Sequence, residues 1–205
     1  NESTWIAQRN GRTKDGDDKT QVAVLKMLAM SSSRPFAENL AEMNIAPIAV
    51  SYEYEPCDAL KTQEVYLLRK NGTYTKTANE DLNSIVTGIR QFKGRISYTF
   101  CPPITETELA SCQEAPHKER FRLLAEIIDR RIYSGYRLFK TNYMAYDLLK
   151  GTHRFAQQYS EADLKEFIAY TDEHTSSLEG DRDELQKIFL GIYANPVRNC
   201  IDNNI

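Results

Sequence analysis

Residues 4–16 have the sequence TWIAQRNGRTKDG, in which a short apolar run leads into a loop with two glycines and several cations. The apolar run, Trp5 to Ala7, predicts a short buried strand. The glycines permit backbone conformations that residues with a Cβ avoid, so cationic side chains can converge where the strand ends. Arginine grips phosphate oxygens through paired N–H groups and lysine adds a point charge. The loop therefore predicts a phosphate site built from Arg9, Gly11, Arg12 and Lys14, and the alternative is a solvated turn with ordinary surface cations.

The residues after the loop predict alternating helices and strands. Residues 20–30 form an apolar helix pattern, and residues 44–52, NIAPIAVSY, predict a second buried strand that begins at a proline. Helices are predicted over 58–70 and after the capping pattern at 77–80, and residues 95–100 alternate as a half-exposed strand does. The predicted fold class of this part is α/β, with a mixed-sheet core.

The second half of the chain predicts helices only, over residues 117–131, 160–173 and 181–194, with a short helix from Thr105. We therefore divide the chain into an α/β domain, 1–115, and an α-helical C-terminal region, 116–205. Five aromatic residues lie between these helices, at positions 133–146, and predict either helix packing or the lining of an acyl channel.

The first 105 residues resemble the second half of the glycerolipid acyltransferase family. In that family a strand leads into a block such as E-G-T-R-S-R, which contacts the phosphate of the acceptor, and a later strand carries a V-P-I-V-P-V-like block. Residues 9–14, RNGRTK, look like the first block, and residues 45–50, IAPIAV, look like the second. Residues 5–16, WIAQRNGRTKDG, look most similar to a bacterial branch of this family that is typical of Bacteroides-like organisms.

The resemblance assigns roles to individual residues. Arg12 matches the phosphate-binding arginine, Gly11 the small residue before it and Lys14 the second basic position, while Arg9 is a weaker third cation and Pro47 matches the proline of the later block. The acidic residue at the head of the family's first block has no counterpart.

The family's catalytic N-H-x-x-x-x-D motif is also missing, since no aspartate lies five residues after any histidine: His117, His153 or His174. Acyl transfer to an alcohol needs a base of this kind. The resemblance thus implies the carboxy-terminal half of a longer enzyme, inactive alone, with an exposed sheet edge or apolar face and a tendency to associate.

The resemblance implies that the full enzyme moves a fatty acyl group to glycerol phosphate or lysophosphatidate in phospholipid biosynthesis. The acyl donor would be a coenzyme A or carrier-protein thioester, with no further cofactor. The enzyme would be cytoplasmic and would lie peripherally on the inner membrane surface. A non-catalytic module that binds a phosphorylated or acidic ligand is the alternative.

Composition restricts the remaining possibilities. The formal charge of the 205-residue chain is −3, so any anion site must be local and no nucleic-acid partner is predicted. No apolar run is long enough for a transmembrane helix. The four cysteines are predicted to be free structural thiols, and Asp15 to Asp18 predict a solvated acidic turn without a metal.

Overall fold

The computed structural model of the protein describes residues 3–9 and 13–205. Nine α-helices lie in these residues: α1 Val22–Ala29, α2 Phe36–Glu42, α3 Asp58–Asn71, α4 Glu80–Arg90, α5 Glu106–Glu114, α6 Arg120–Ser134, α7 Lys140–Lys150, α8 Glu161–Ser176 and α9 Arg182–Asp202. Two strands, β1 Ile48–Tyr52 and β2 Ile96–Phe100, and one 3₁₀ turn, Ala156–Gln158, complete the regular structure of the described residues. None of the described helices is long and apolar enough to cross a membrane.

The predicted α/β mixed-sheet core is wrong, because the described residues are mostly helical and hold a single two-stranded antiparallel sheet. The run from Trp5 to Ala7 forms no strand, and Trp5 and Ile6 are 70% and 51% exposed. The carbonyl of Gln8 accepts a hydrogen bond from the backbone N–H of Gln21, just before α1. A strand needs neighbours for its polar backbone groups, and an apolar run of three residues does not specify them.

Several local predictions are confirmed. Both later strands form, and they pair from Ile48 opposite Phe100 to Tyr52 opposite Ile96. The helix predicted over 58–70 ends at Gly72, which has a left-handed backbone. The helix predicted over 181–194 is longer than expected, because α9 continues through Pro196 to Asp202 and buries Val197 and Cys200.

The hydrophobic core crosses the predicted boundary at residue 115. Leu25 of α1 and Leu109 of α5 belong to the same buried cluster as Leu124 and Ile128 of α6. A second cluster joins α7, α8 and α9, and a third joins α3 to α9. Helix α9 packs against α3, α6, α7 and α8, so it links the two predicted parts. The division into 1–115 and 116–205 stays a prediction.

The segment from Thr13 to Thr20 is docked on the helices and is not the predicted solvated acidic turn. Asp18 accepts hydrogen bonds from the hydroxyls of Thr13 (2.6 Å) and Tyr136 (2.8 Å). The carboxylate of Asp17 lies 3.0 Å from the guanidinium of Arg198 on α9. Burial opposes ionisation of Asp17, but Lys19 and Arg198 outweigh it and hold its pKa below the usual value. Sequence alone did not indicate these tertiary partners.

Gly16 explains how closely this segment approaches α9. Its φ is +71°, and a Cβ on it would lie 2.1 Å from the carbonyl oxygen of Ile192. Pro196 has no N–H, so this carbonyl, four residues before the proline, lacks its helical donor. The side-chain amide of Asn195 also donates to the carbonyl of Asp15 (2.6 Å). The segment therefore packs against the part of α9 where the proline interrupts the helical hydrogen bonds.

Candidate ligand-binding cavity

A cavity of about 740 Å³ opens between residues 4–9, the sheet and the helices around them. Its volume lies within the range of ~300–1,000 Å³ that is usual for small-molecule sites. Apolar side chains from the N-terminal segment, α1, β1, α4, α6 and α9 line much of it: Trp5, Ile6, Val24, Leu25, Ile48, Val50, Ile85, Ile128, Ile132 and Ile192. Such walls suit the hydrocarbon part of a ligand.

Three cations also line this cavity: Arg9, Lys61 and Arg137. The ammonium of Lys61 lies 3.1 Å from Glu55, and both side chains are largely buried. Neither Arg9 nor Arg137 has a carboxylate partner among the described residues. The cavity thus combines apolar walls with cationic groups that are not all neutralised.

Arg9 has a buried polar atom without a hydrogen-bond partner in the part of the chain that the structure describes. Its Nε is buried and has no hydrogen-bond partner in the described residues, and the same holds for the side-chain nitrogen of Gln8. A buried polar group without a partner costs ~1–3 kcal/mol, more when it is charged. Arg9 as a residue nevertheless lines the cavity.

Lys14 lies elsewhere. Its ammonium forms an ion pair with Glu64 on α3, and it lines a second cavity of about 260 Å³ with Tyr74, Lys76 and Glu80. Arg9 and Lys14 thus line different cavities, although Lys61 borders both. Gly11 and Arg12 fall outside the described residues, so the convergence of the loop cations on one phosphate stays a prediction.

Sequence reasoning missed a buried network around Asp58, which is 2% exposed. Its carboxylate accepts hydrogen bonds from the hydroxyls of Tyr170 (2.7 Å) and Tyr193 (2.6 Å) and lies 3.0 Å from Nδ1 of His174. These partners come from α8 and α9, more than a hundred residues away in sequence, so local patterns could not reveal them. Burial and the nearby carboxylate raise the pKa of Tyr193 well above its usual value.

A histidine oriented by a carboxylate is the kind of base that acyl transfer uses. His174, however, lines neither of the two cavities in the described part of the chain. Its ring packs against that of Tyr170, with centroids 4.0 Å apart. We therefore assign the network to holding α3, α8 and α9 together, and no catalytic residue is assigned.

The network predicts a pH dependence of stability. The hydrogen bond and charge of Asp58 raise the pKa of His174 above its ordinary value of 6.5, against the effect of burial. Protonated His174 therefore stabilises the fold fully below about pH 6.5, and this contribution is lost as the pH rises through the raised pKa of the folded state. Urea unfolding across this range should show the decline.

The decline should disappear in His174→Gln, which removes the titrating group. It should persist in His117→Gln, since His117 is exposed and outside the network. Equal pH profiles for wild type and His174→Gln would contradict the assignment.

All four cysteines are free, as predicted, and the structure buries them. Burial raises the pKa of Cys101 and of Cys200, which disfavours the reactive thiolate. Among the aromatic residues at 133–146, Tyr143 and Tyr146 contact the ring of Phe155, Tyr133 belongs to the buried cluster around α6, and Tyr136 lines the large cavity. No group of histidine, cysteine and carboxylate side chains that could hold a metal ion occurs in residues 3–9 and 13–205.

Comparisons with protein-family models, curated proteins and solved structures gave no match. The resemblance to glycerolipid acyltransferases therefore rests on the residues quoted from the sequence, and it remains a prediction.

Proposed function

We propose that this chain forms the acceptor-binding part of an acyltransferase that transfers a fatty acyl group from a thioester to glycerol phosphate or lysophosphatidate. The supporting observation is that Arg9, which has no carboxylate partner among the described residues, lines a cavity with apolar walls. A phosphate would accept from this guanidinium, while the glycerol and any acyl chain would contact the walls. Arg12 and Lys14, with Gly11, remain proposed contributors to phosphate binding.

In this proposal the chain binds the acceptor, and another part of a longer enzyme supplies the catalytic base. None of the described residues that line the cavity is a histidine. The acyl donor would be a coenzyme A or carrier-protein thioester. The full enzyme would work in the cytoplasm, peripherally at the inner membrane.

The same lack of a histidine favours a second candidate, a non-catalytic module that binds a phosphorylated ligand. The two candidates differ in what else the ligand must carry. An acceptor site for lysophosphatidate should use the apolar walls as well as the cations, whereas a simple anion site should bind glycerol 3-phosphate or inorganic phosphate equally well.

We expect calorimetric titration to show that octanoyl lysophosphatidate, below its micelle concentration, binds more tightly than glycerol 3-phosphate. Arg9→Ala and Arg12→Ala should each weaken this binding about 10- to 100-fold, because a hydrogen bond to a charged group contributes ~1.5–3 kcal/mol. Arg9→Lys should restore only part of the affinity, since the planar fork is lost.

The matched control is Arg122→Ala, which removes an exposed arginine of α6 that pairs with Glu119, just before the helix, and with Glu126; it should leave binding unchanged. Unaltered affinity in both Arg9→Ala and Arg12→Ala would exclude the phosphate site. Equal affinity for lysophosphatidate and inorganic phosphate would favour the non-catalytic module.

A further inference from the structure

Helix α4 buries none of its residues, although it is amphipathic. Leu82, Ile85 and Ile89 lie on one face because they are three and four residues apart, and they are 60%, 53% and 73% exposed. Phe92, just beyond the helix, is 72% exposed. An apolar helical face of this kind normally packs against the core, and here no described element covers it.

The outer strand continues this apolar surface. Ile96, Tyr98 and Phe100 alternate along β2 and lie on the sheet face that also carries Ile48 and Val50 of β1. The three β2 side chains are exposed, with Phe100 at 78%. Since Ile48, Val50 and Ile85 all line the large cavity, the apolar faces of the sheet and of α4 border the same opening.

The seven exposed side chains of Leu82, Ile85, Ile89, Phe92, Ile96, Tyr98 and Phe100, with the cations among them, are called the 82–105 surface below. Each of the seven is between 42% and 78% exposed. A group of exposed apolar side chains of this kind indicates an interaction site.

The charged residues of the 82–105 surface indicate which kind of partner binds it. Residues 82–105 contain three cations, and the carboxylates next to them, Glu80, Asp81 and Glu106, lie before the first and after the last of the seven apolar residues. Arg95 is paired with Glu53, but Arg90 and Lys93 have no carboxylate partner among the described residues, and the ammonium of Lys93 donates only to backbone carbonyls. Cations interleaved with exposed isoleucine and phenylalanine suit an anionic bilayer, where the apolar groups enter the acyl boundary and the cations meet the headgroups.

We propose that the 82–105 surface docks on an anionic lipid bilayer, so that the large cavity opens toward the membrane. This inference rests on the proposed function, which places the full enzyme peripherally at the membrane, and it names the surface that contacts the lipid. The inference can be tested apart from the acceptor site, because the residues replaced in its test, Ile89, Arg90, Phe92 and Lys93, do not line the large cavity.

The test is cosedimentation of the purified chain with vesicles, in the absence of lysophosphatidate. We expect partitioning at least about tenfold stronger into vesicles of equal parts phosphatidylcholine and phosphatidylglycerol than into pure phosphatidylcholine, and a decline with added salt. The double variant Arg90→Gln/Lys93→Gln should lose about fivefold for each cation removed. The double variant Ile89→Ser/Phe92→Ser should lose about tenfold or more, because less apolar area enters the bilayer.

Matched controls remove two exposed apolar side chains and two exposed cations elsewhere. Met27→Ser/Met30→Ser removes two side chains that are 67% and 82% exposed near α1, and Lys26→Gln/Lys165→Gln removes two exposed cations. Neither control should change vesicle binding. All replaced residues are exposed or half-buried, so the variants should fold, and circular dichroism will show whether they do.

Three results would overturn the proposal: no binding to anionic vesicles, equal losses in the controls, or unchanged binding in both surface variants. If light scattering showed a dimer that Ile89→Ser/Phe92→Ser dissociates while vesicle binding stays the same, a second copy of the chain would be the occupant. Titration with octanoyl lysophosphatidate in the absence of vesicles tests the acceptor site separately. Failure of the acceptor-site proposal can therefore be distinguished from failure of the membrane-docking proposal.

Discussion

Replacing Asp58 with alanine is expected to lower the free energy of unfolding by about 3–5 kcal/mol, as removal of one partner from a buried charged network does. The change leaves the hydroxyls of Tyr170 and Tyr193 and the ring of His174 without their shared acceptor. Tyr193 is 2% exposed, so water cannot replace the lost partner. Urea unfolding followed by circular dichroism measures the loss.

Asp58→Asn should cost less than the alanine variant, because the amide oxygen still accepts a hydrogen bond. This milder variant provides a measurement if Asp58→Ala fails to fold. The matched control is Asp172→Ala on α8, whose side chain is 46% exposed and paired with Arg182. It should change stability by less than ~1 kcal/mol. Similar values for Asp58→Ala and Asp172→Ala would show that the network contributes little.

Gly16→Ala should destabilise the protein by about 3 kcal/mol, from two separate causes. A left-handed backbone costs a residue with a Cβ ~1–2 kcal/mol. Overpacking against the carbonyl of Ile192 adds ~1–3 kcal/mol, because the new methyl group would lie 2.1 Å from a backbone atom that cannot rotate away. The segment from Thr13 to Thr20 should separate from α9, and hydrogen exchange of its amides should rise.

Gly72→Ala is the matched control for this prediction. Gly72 has a φ of +73°, close to that of Gly16, but a Cβ on it would meet nothing within 4 Å. The control therefore carries the backbone strain without the collision, and it should cost only ~1–2 kcal/mol. If the two alanine variants were equally stable, the close packing of Gly16 on α9 would not exist in solution.

Local sequence patterns were enough to predict most of the helices. The short helix predicted from Thr105 forms and opens with a capping box, in which the side chain of Thr105 accepts from the backbone N–H of Glu108 and the carboxylate of Glu108 accepts from the backbone N–H of Thr105. A similar box opens α8 at Ser160. Helix α7 was not predicted, although it is amphipathic and buries Met144 and Ala145 against α9.

The candidate site was predicted only in part. Arg9 was named from the sequence and does line the large cavity, but Lys61 and Arg137 were not named, because nothing in their local sequence indicates that they meet. Lys14 was expected to face a phosphate, and its ammonium instead pairs with Glu64, fifty residues away. Long-range pairs of this kind depend on how helices dock, which no short motif records.

The sequence by itself determined the positions of most helices and of two strands, the free state of the cysteines and the cation-rich loop after Trp5. Hydrophobic period, capping residues and glycine positions act over a few residues, so they can be recognised without the fold. Only the tertiary structure decided that the sheet has two described strands, that Asp58 meets His174 and that Gly16 packs on α9. Those arrangements arise from burial and hydrogen bonding between segments that lie far apart in the chain, and these interactions leave no local pattern in the sequence.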